Sequence, residues 1–349
     1  MLLRSLSTLN FRNLKAGKLE FKPGITAIVG GNGMGKSNLL EAIFLCLTGV
    51  LEVSKLETVV QLSEKEAFVG AEIERQDGIS KLEVGLAPGK KRAKVDGVTV
   101  RVAELARHAS AVLIRPEDAD LIHGNPGLRR GFLDALVSRV SPRYGQLLGQ
   151  YERVVQQRNA VLKLERVEDW MLEVWDEKLL EYASEIMRLR RRAMNRLTEI
   201  AKESHTNLAG NNKILELKLL ETARLDDLQT HLKEKRREEI ARGSTAIGPH
   251  RDDLEIRLAG TKAADYASRG EARTIALAMR QAEFILLSEK FKEAPILLID
   301  DFTAELDSSR RDYLLTMAAA APQAIVTGTE APPRADKSLH IQDGALEVI

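Results

Sequence analysis

Apolar and polar positions divide the chain into three stretches of different rhythm. Near the start, Leu2 to Phe11 alternates loosely, and Ile25-Thr26-Ala27-Ile28-Val29 is a short, apolar, β-branched run of the kind that forms a buried strand. Glycines break that run at 30–35. Ser37 then opens an apolar helical stretch that ends at Gly49. Residues 67–102 alternate strand-like runs with turn signals, which predicts antiparallel ribbons with a basic tip, PGKKRAKVDG. The run at 111–115 predicts another buried strand, ended by Pro116. From Gly127 to Arg242 the rhythm becomes helical. Leu172, Trp175, Leu179, Tyr182 and Ile186 step by three or four residues and so share one face. A strand-like patch at 213–220 and a charged helix ending at Gly243 follow. From Ala246 the α/β rhythm returns, with a helix over 271–291, a buried strand before Asp300, a helix over 308–320 and a strand over 323–329. The expected organisation is one α/β domain built from 1–126 and 244–349, with a mainly helical lobe over 127–243 inserted in it. No heptad persists long enough for a long coiled coil.

Composition narrows the function classes. The 349 residues carry 52 Lys+Arg against 51 Asp+Glu, a net charge of +1, so the chain is not disordered by self-repulsion. The single cysteine, Cys46, excludes an intramolecular disulfide and a multi-cysteine zinc site. It reads as a small core residue. No stretch approaches the roughly 18 apolar residues of a membrane span, and the first residues lack the apolar core of a secretory signal. A soluble cytoplasmic protein without a membrane partner is the expectation. Aromatic residues are only 4%, which argues against base stacking as the main mode of any nucleic-acid contact.

The chemistry concentrates at two places. Gly30-Gly31-Asn32-Gly33-Met34-Gly35-Lys36-Ser37 fits G-x-x-x-x-G-K-[ST] between an apolar strand and an apolar helix, with Asn38 next on that helix. Glycines let backbone N–H groups converge on phosphate oxygens, and the helix points its positive end at them. Lys36 supplies a cation to the β/γ-phosphates, and the Ser37 hydroxyl can join an Mg2+ shell. The second place is Ile296-Leu297-Leu298-Ile299-Asp300-Asp301, an apolar strand delivering two carboxylates at its C-terminal end. Asp300 is the expected Mg2+ partner, and Asp301 the group that orients or deprotonates the attacking water. The catalytic candidates are thus Lys36 and Asp301.

Further motifs carry a resemblance. Ser268-Arg269-Gly270-Glu271 resembles the S-x-G-[QE] signature of ABC-type ATPases, and Ala304-Glu305-Leu306-Asp307 resembles their D-loop. Asn10-Phe11-Arg12-Asn13 is similar to the start of SMC-like heads. Together with Arg115-Pro116-Glu117, Gln157-Arg158-Asn159, Gly248-Pro249-His250-Arg251-Asp252-Asp253 and Asp300-Asp301-Phe302, the chain resembles the RecF family throughout its length. That resemblance implies an ABC-type P-loop ATPase head with a mixed sheet. It implies ATP and Mg2+ as cofactors, with Ser268, Arg269, Gly270 and Glu271 of one subunit reaching the nucleotide of another in an ATP-dependent homodimer. It further implies DNA binding at duplexes and gap junctions without sequence specificity, RecR and RecO as partners, help to RecA loading, and slow ATP hydrolysis. Arg12 and Asn13 either contact the adenine or α-phosphate or hold the first strand turn. Glu117 stands where transporter ATPases have glutamine and is a further candidate for Mg2+ or water. Thr327 stands where they have histidine; it can hydrogen-bond but not titrate. Asp301, one methylene shorter than glutamate, implies looser water positioning and a switch rather than a motor.

The basic runs are candidates for DNA: Lys90, Lys91, Arg92 and Lys94 at the ribbon tip, Arg188, Arg190, Arg191, Arg192 and Arg196 on a helix, and Lys233, Lys235, Arg236 and Arg237 among glutamates. Each run can equally be a solvated face. His250 can touch nucleotide or DNA, or fix its own turn. Trp170 and Trp175 are expected to pack the helical lobe. The competing readings are an ABC-type subunit energising a membrane partner, and a nucleotide kinase or GTPase, which the 268–271 signature disfavours.

Overall fold

The computed structural model of the chain describes residues 1–51, 56–302 and 308–348. The D-loop resemblance at 304–307 lies outside the described residues. The chain forms two compact units: one of residues 1–119, 207–210 and 273–349, the other of residues 120–206 and 211–272.

The first unit is built on two six-stranded sheets. One has the spatial order Ala345–Val348, Lys337–Gln342, Gly24–Val29, Gln323–Gly328, Ile296–Ile299, Ala111–Ile114. Its last five members run parallel, and only the edge strand Ala345–Val348 is antiparallel. The inner strands Ile296–Ile299 and Gln323–Gly328 are buried throughout, as a parallel sheet covered on both faces requires. In the other sheet, antiparallel, Leu2–Leu9 lies between Gly17–Glu20 and Ala67–Arg75, and Gly78–Ala87, Lys90–Val95 and Val98–Val100 follow in order. Between the sheets runs the helix Lys36–Thr48. Leu39, Leu40, Ile43, Cys46 and Leu47 share one core with Leu6, Val69 and Leu82 of the antiparallel sheet and with Leu298 and Ile325 of the parallel one. The Cys46 side chain is fully buried there, and burial pushes its thiol pKa up. Because the parallel strands share a direction, the loops after Val29, Ile114, Ile299 and Gly328 leave the same edge of the sheet.

The ribbon expected to end in a basic tip folds differently. Pro88-Gly89 and Asp96-Gly97 are both turns, Gly89 and the Asp96-Gly97 pair having positive φ, so the six residues between them form a strand of their own. Ala93 and Val95 face inward, while Lys90, Arg92 and Lys94 are exposed.

The second unit is mainly helical, with helices Pro126–Val140, Pro142–Leu162, Asp169–Ala209 and Leu228–Arg242. Asn125 caps the first of these, its side chain accepting from the N–H groups of Gly127 and Leu128. Leu172, Leu179 and Ile186 are buried on the 41-residue helix, as its spacing predicts. Trp170 is not packed: it is 66% exposed, whereas Trp175 is half-buried under Lys178.

The boundary expected at 243/244 is not where the chain divides. Residues 120–126 and 244–272 belong to the second unit. The cause is a three-stranded sheet, in which Leu215–Leu220 pairs antiparallel with Asp253–Leu258 along its whole length. Arg129 adds a bidentate ion pair to Asp253 at 2.8 and 2.9 Å. Long-range strand pairing of this kind leaves no trace in local periodicity.

Candidate active site

The phosphate loop leaves the strand Gly24–Val29 and enters the helix Lys36–Thr48 through Gly35, whose φ of 107° suits glycine alone; a Cβ there would lie 2.8 Å from Asn13 Oδ1. Among the described residues, the backbone N–H groups of Gly31, Asn32, Gly33, Met34 and Gly35 have no hydrogen-bond acceptor. A run of unsatisfied donors at a helix N-terminus is a cradle for anionic oxygens. The Lys36 ammonium donates to the Gly30 and Gly31 carbonyls at 2.7 and 2.8 Å, so it closes over the loop. Ser37 stands exposed in the first helical turn.

The neighbours predicted to contact nucleotide brace this loop. Asn13 donates to the Gly33 carbonyl at 3.1 Å and accepts from the Asn38 amide at 2.8 Å. Arg12 forms a bidentate pair with Glu41 on the loop's own helix, at 2.7 and 2.9 Å. Of the two roles open to Arg12 and Asn13, these bonds serve the second, holding the turn.

Two strands away in the parallel sheet, Ile299 delivers Asp300 and Asp301 beside Thr327. The register pairs Ile299 with Val326, which sets Asp300 level with Thr327. The Thr327 hydroxyl donates to Asp300 Oδ1 at 2.6 Å and accepts from the Asp301 N–H at 2.9 Å. Asp300 Oδ2 meets no donor among the described residues. A hydroxyl and a carboxylate oxygen are hard donors, and Mg2+ is commonly held by one or two such protein groups with phosphate and water completing the shell. Ser37 and Asp300 therefore fit that ion. Among the described residues no cluster of three or more His, Cys, Asp or Glu forms a closed metal cage.

A cleft of about 360 Å³ opens beside the two aspartates, lined also by Glu117, Arg273, Leu277 and Leu314. Glu117 is exposed on the turn Pro116–Ala119. That turn is fixed by its neighbour: Asp118 accepts from the Arg115 N–H and takes Arg280 in a bidentate pair at 2.6 and 3.0 Å. Arg280 also holds Glu283 at 2.8 Å, and all three side chains are buried. Nothing in the local pattern announced this triad, apart from an Arg and a Glu spaced three apart on one helix.

The signature residues lie in the second unit, where Ser268 precedes the helix Arg269–Phe291. Ser268 and Glu271 form a reciprocal cap: the Ser268 N–H donates to Glu271 at 2.8 Å, and the Glu271 N–H donates to the Ser268 hydroxyl at 3.2 Å. Lys213 donates to the same carboxylate at 2.5 Å. The Lys213 hydrogen bond, then that from the Ser268 N–H, lowers the Glu271 pKa to about 2. The resemblance implies that Glu271 binds nucleotide. As a held carboxylate it shapes the signature turn. Ser268 and Arg269 are exposed.

His250 is engaged inside its own unit. Its Nδ1 accepts from the Tyr151 hydroxyl at 2.7 Å and its Nε2 donates to the Thr245 carbonyl at 3.1 Å, roles assigned from the bonding pattern. Burial lowers its pKa to about 4. The arginine cluster is divided: Arg188, Arg192 and Arg196 are exposed, but the other two are engaged. Arg190 is buried among Asp134, Tyr144, Asp252 and the Pro249 carbonyl, and Arg191 is paired twice with Glu221 at 2.7 Å. Arg236, in the third basic run, is held by Asp169 and Asp176.

Comparison with known proteins agrees with this architecture. The family described as RecF/RecN/SMC N-terminal domain matches residues 2–337. The DNA replication and repair protein RecF of Deinococcus radiodurans is 52% identical over 342 residues, covering 98% of this chain and 94% of that protein. A solved structure described as the recombination mediator protein RecF-ATP in the RecFOR pathway superposes with a TM-score of 0.93 at 32% identity, covering 99% of this chain and 97% of its own. An Smc head domain from Pyrococcus furiosus shares the fold, with a TM-score of 0.56 at 20% identity. No described helix is long and apolar enough to cross a membrane. The chain belongs to the RecF family of SMC-like ABC-type ATPases.

Proposed function

We propose that this chain is an ATP-dependent DNA-binding switch of recombinational repair. ATP binds with its phosphates on the N–H groups of residues 31–35 and Lys36; Ser37 and Asp300 would hold Mg2+, which would supply charge neutralisation. Asp301 orients the attacking water, with Glu117 at the same cleft. Ser268, Arg269 and Gly270 of a second subunit meet the γ-phosphate, so that ATP closes a twofold homodimer. Hydrolysis, slow because Asp301 is short, opens it. The carrying observation is the pairing, in one parallel sheet, of an open anion cradle at 31–36 with two adjacent aspartates, a buried hydroxyl bonding the carboxylate of the first and the backbone N–H of the second. The names of the relatives supply the setting: DNA replication and repair, and recombination mediation in the RecFOR pathway.

The DNA contact is the row Lys90, Arg92 and Lys94. These side chains alternate along one exposed strand face, about 7 Å apart and about 14 Å end to end. Phosphates follow each other about every 3.4 Å of duplex axis on each strand, so the row spans about four such steps and its three cations can neutralise three phosphates. Among the described residues none of the three has an ion-pair partner. Glu83 lies across from Lys94 but pairs with Lys81 at 3.0 Å.

Sedimentation with and without ATP and Mg2+ tests the switch. The wild type should dimerise with ATP and Mg2+, and Lys36→Met should remain monomeric. Identical sedimentation of the wild type under both conditions would overturn the reading.

A further inference from the structure

The buried Thr327 is drawn into the hydrolytic machinery more closely than its residue type suggests. Its hydroxyl donates to Asp300 Oδ1 at 2.6 Å and accepts the Asp301 N–H at 2.9 Å. Its carbonyl accepts the Phe302 N–H at 3.0 Å. Three consecutive residues of the acidic turn are thus bonded to one threonine. Asp301 sits at φ 47°, a left-handed conformation unfavourable for a residue with a Cβ, and the bond to its N–H is one that holds it there. Gly328 completes the fit. A Cβ on it would lie 2.9 Å from the Phe302 ring, so the strand end is shaped to receive this turn. Thr327 itself is fully buried, and a hydroxyl placed there must be satisfied to be tolerated.

We propose that Thr327 is a positioning residue for ATP hydrolysis, acting through the two aspartates and not through phosphate. Its proton engages one oxygen of Asp300 and leaves the other to face the ion. Its lone pair fixes the backbone of Asp301, and with it the direction of the carboxylate that orients water. One hydroxyl therefore sets the geometry of both groups, and it does so without titrating. The inference rests on the ATPase reading above.

The test compares Thr327→Val, which keeps the shape and removes both bonds, with Thr327→Ser, which keeps the hydroxyl. Thr327→Val should lose about tenfold in kcat, the scale of one buried hydrogen bond. Its KM for ATP should stay within about twofold. The Mg2+ concentration giving half-maximal binding of a fluorescent ATP analogue should rise severalfold. Thr327→Ser should recover most of both losses. If Thr327→Val does not fold, Thr327→Cys, with its weaker S–H donor, enters the same comparison. Unchanged kcat and Mg2+ dependence in Thr327→Val would overturn the proposal. So would equal losses in the Val and Ser variants, which would make the threonine a packing residue. A wild type that does not hydrolyse ATP would defeat the ATPase reading instead, and the Mg2+ titration of nucleotide binding would still decide the role of Thr327.

Discussion

Two basic regions that look alike in the sequence are opposites in the folded chain. Arg188, Arg190, Arg191, Arg192 and Arg196 form the denser run, with no acid among them. Yet Arg190 is 1% exposed and is met by Asp134 and Asp252 from other elements, and Arg191 is met by Glu221. Arg188 and Arg196 have glutamate neighbours at 3.6 and 3.2 Å. Lys90, Arg92 and Lys94 are a sparser run, but among the described residues none has an ion-pair partner, the Glu83 opposite Lys94 being paired with Lys81. Charge density along a sequence therefore says little about charge density on a surface. What decides is whether acids distant in sequence fold against the run. At Arg190 arginine is a tool of packing, while Arg192 on the same helix stays exposed; along the strand row lysine and arginine remain available to a partner.

The sharpest way to break that contrast is to remove Arg190. Arg190→Met leaves the buried Asp252 and the half-buried Asp134 without their cation. Losing one partner of such a network costs about 3–5 kcal/mol. Denaturant unfolding should show that loss, and an Arg190→Met protein of wild-type stability would place the residue outside the core. The same region has a pH signature. His250 is half-buried against Tyr151 with its pKa at about 4, below the 6.5 of an unfolded histidine. Between those values the unfolded chain binds a proton that the folded one refuses, so stability is lost as pH falls from 6.5 towards 4. The loss approaches about 3 kcal/mol at the lower end. Asp252, its pKa raised by burial above the usual 3.8, works in the opposite sense, adding stability as pH falls towards 3.8. His250→Gln should flatten the decline between pH 6.5 and 5, and an unchanged slope would assign the decline to other groups.

How far the site can be read from sequence follows the same division between local and distant partners. The phosphate loop and the Asp300-Asp301 strand are legible because their chemistry is written in contiguous residues. So are the strands around them, since a buried parallel strand is a run of apolar residues whatever its neighbours are. The unit boundary is not legible, because Leu215–Leu220 and Asp253–Leu258 are joined by register alone. The basic tip proves to be a strand because two turn pairs, not one, punctuate it. The bracing of Glu271 is not legible, because the signature pattern shows a residue type and not the Lys213 that holds it. Thr327 can be read as a hydrogen-bonding residue, but only the sheet order shows that it stands level with Asp300.

Intermediate in effect is the strand row. The variant K90Q/R92Q/K94Q should keep wild-type stability, since all three side chains are exposed and unpaired. Its DNA affinity should fall, and the slope of log K against log salt should become shallower by about 2.7, some 0.9 for each phosphate left without its cation. Between 50 and 200 mM salt the wild type would then lose about 40-fold more affinity than the variant. An unchanged slope would remove the row from the DNA interface.

The smallest effect belongs to Arg191, and it is informative for that reason. Arg191 stands beside buried Arg190 but is itself 41% exposed, and its two bonds to Glu221 are well formed. If proximity to the buried network mattered, Arg191→Gln would destabilise as Arg190→Met does. If exposure matters, solvent screens the pair and the loss stays below about 1 kcal/mol. Because Glu221 already occupies the guanidinium, the same substitution should leave DNA affinity and its salt slope unchanged. A loss of affinity comparable to that of the strand-row variant would mean that DNA displaces Glu221, and that the helix, not the strand, carries the contact.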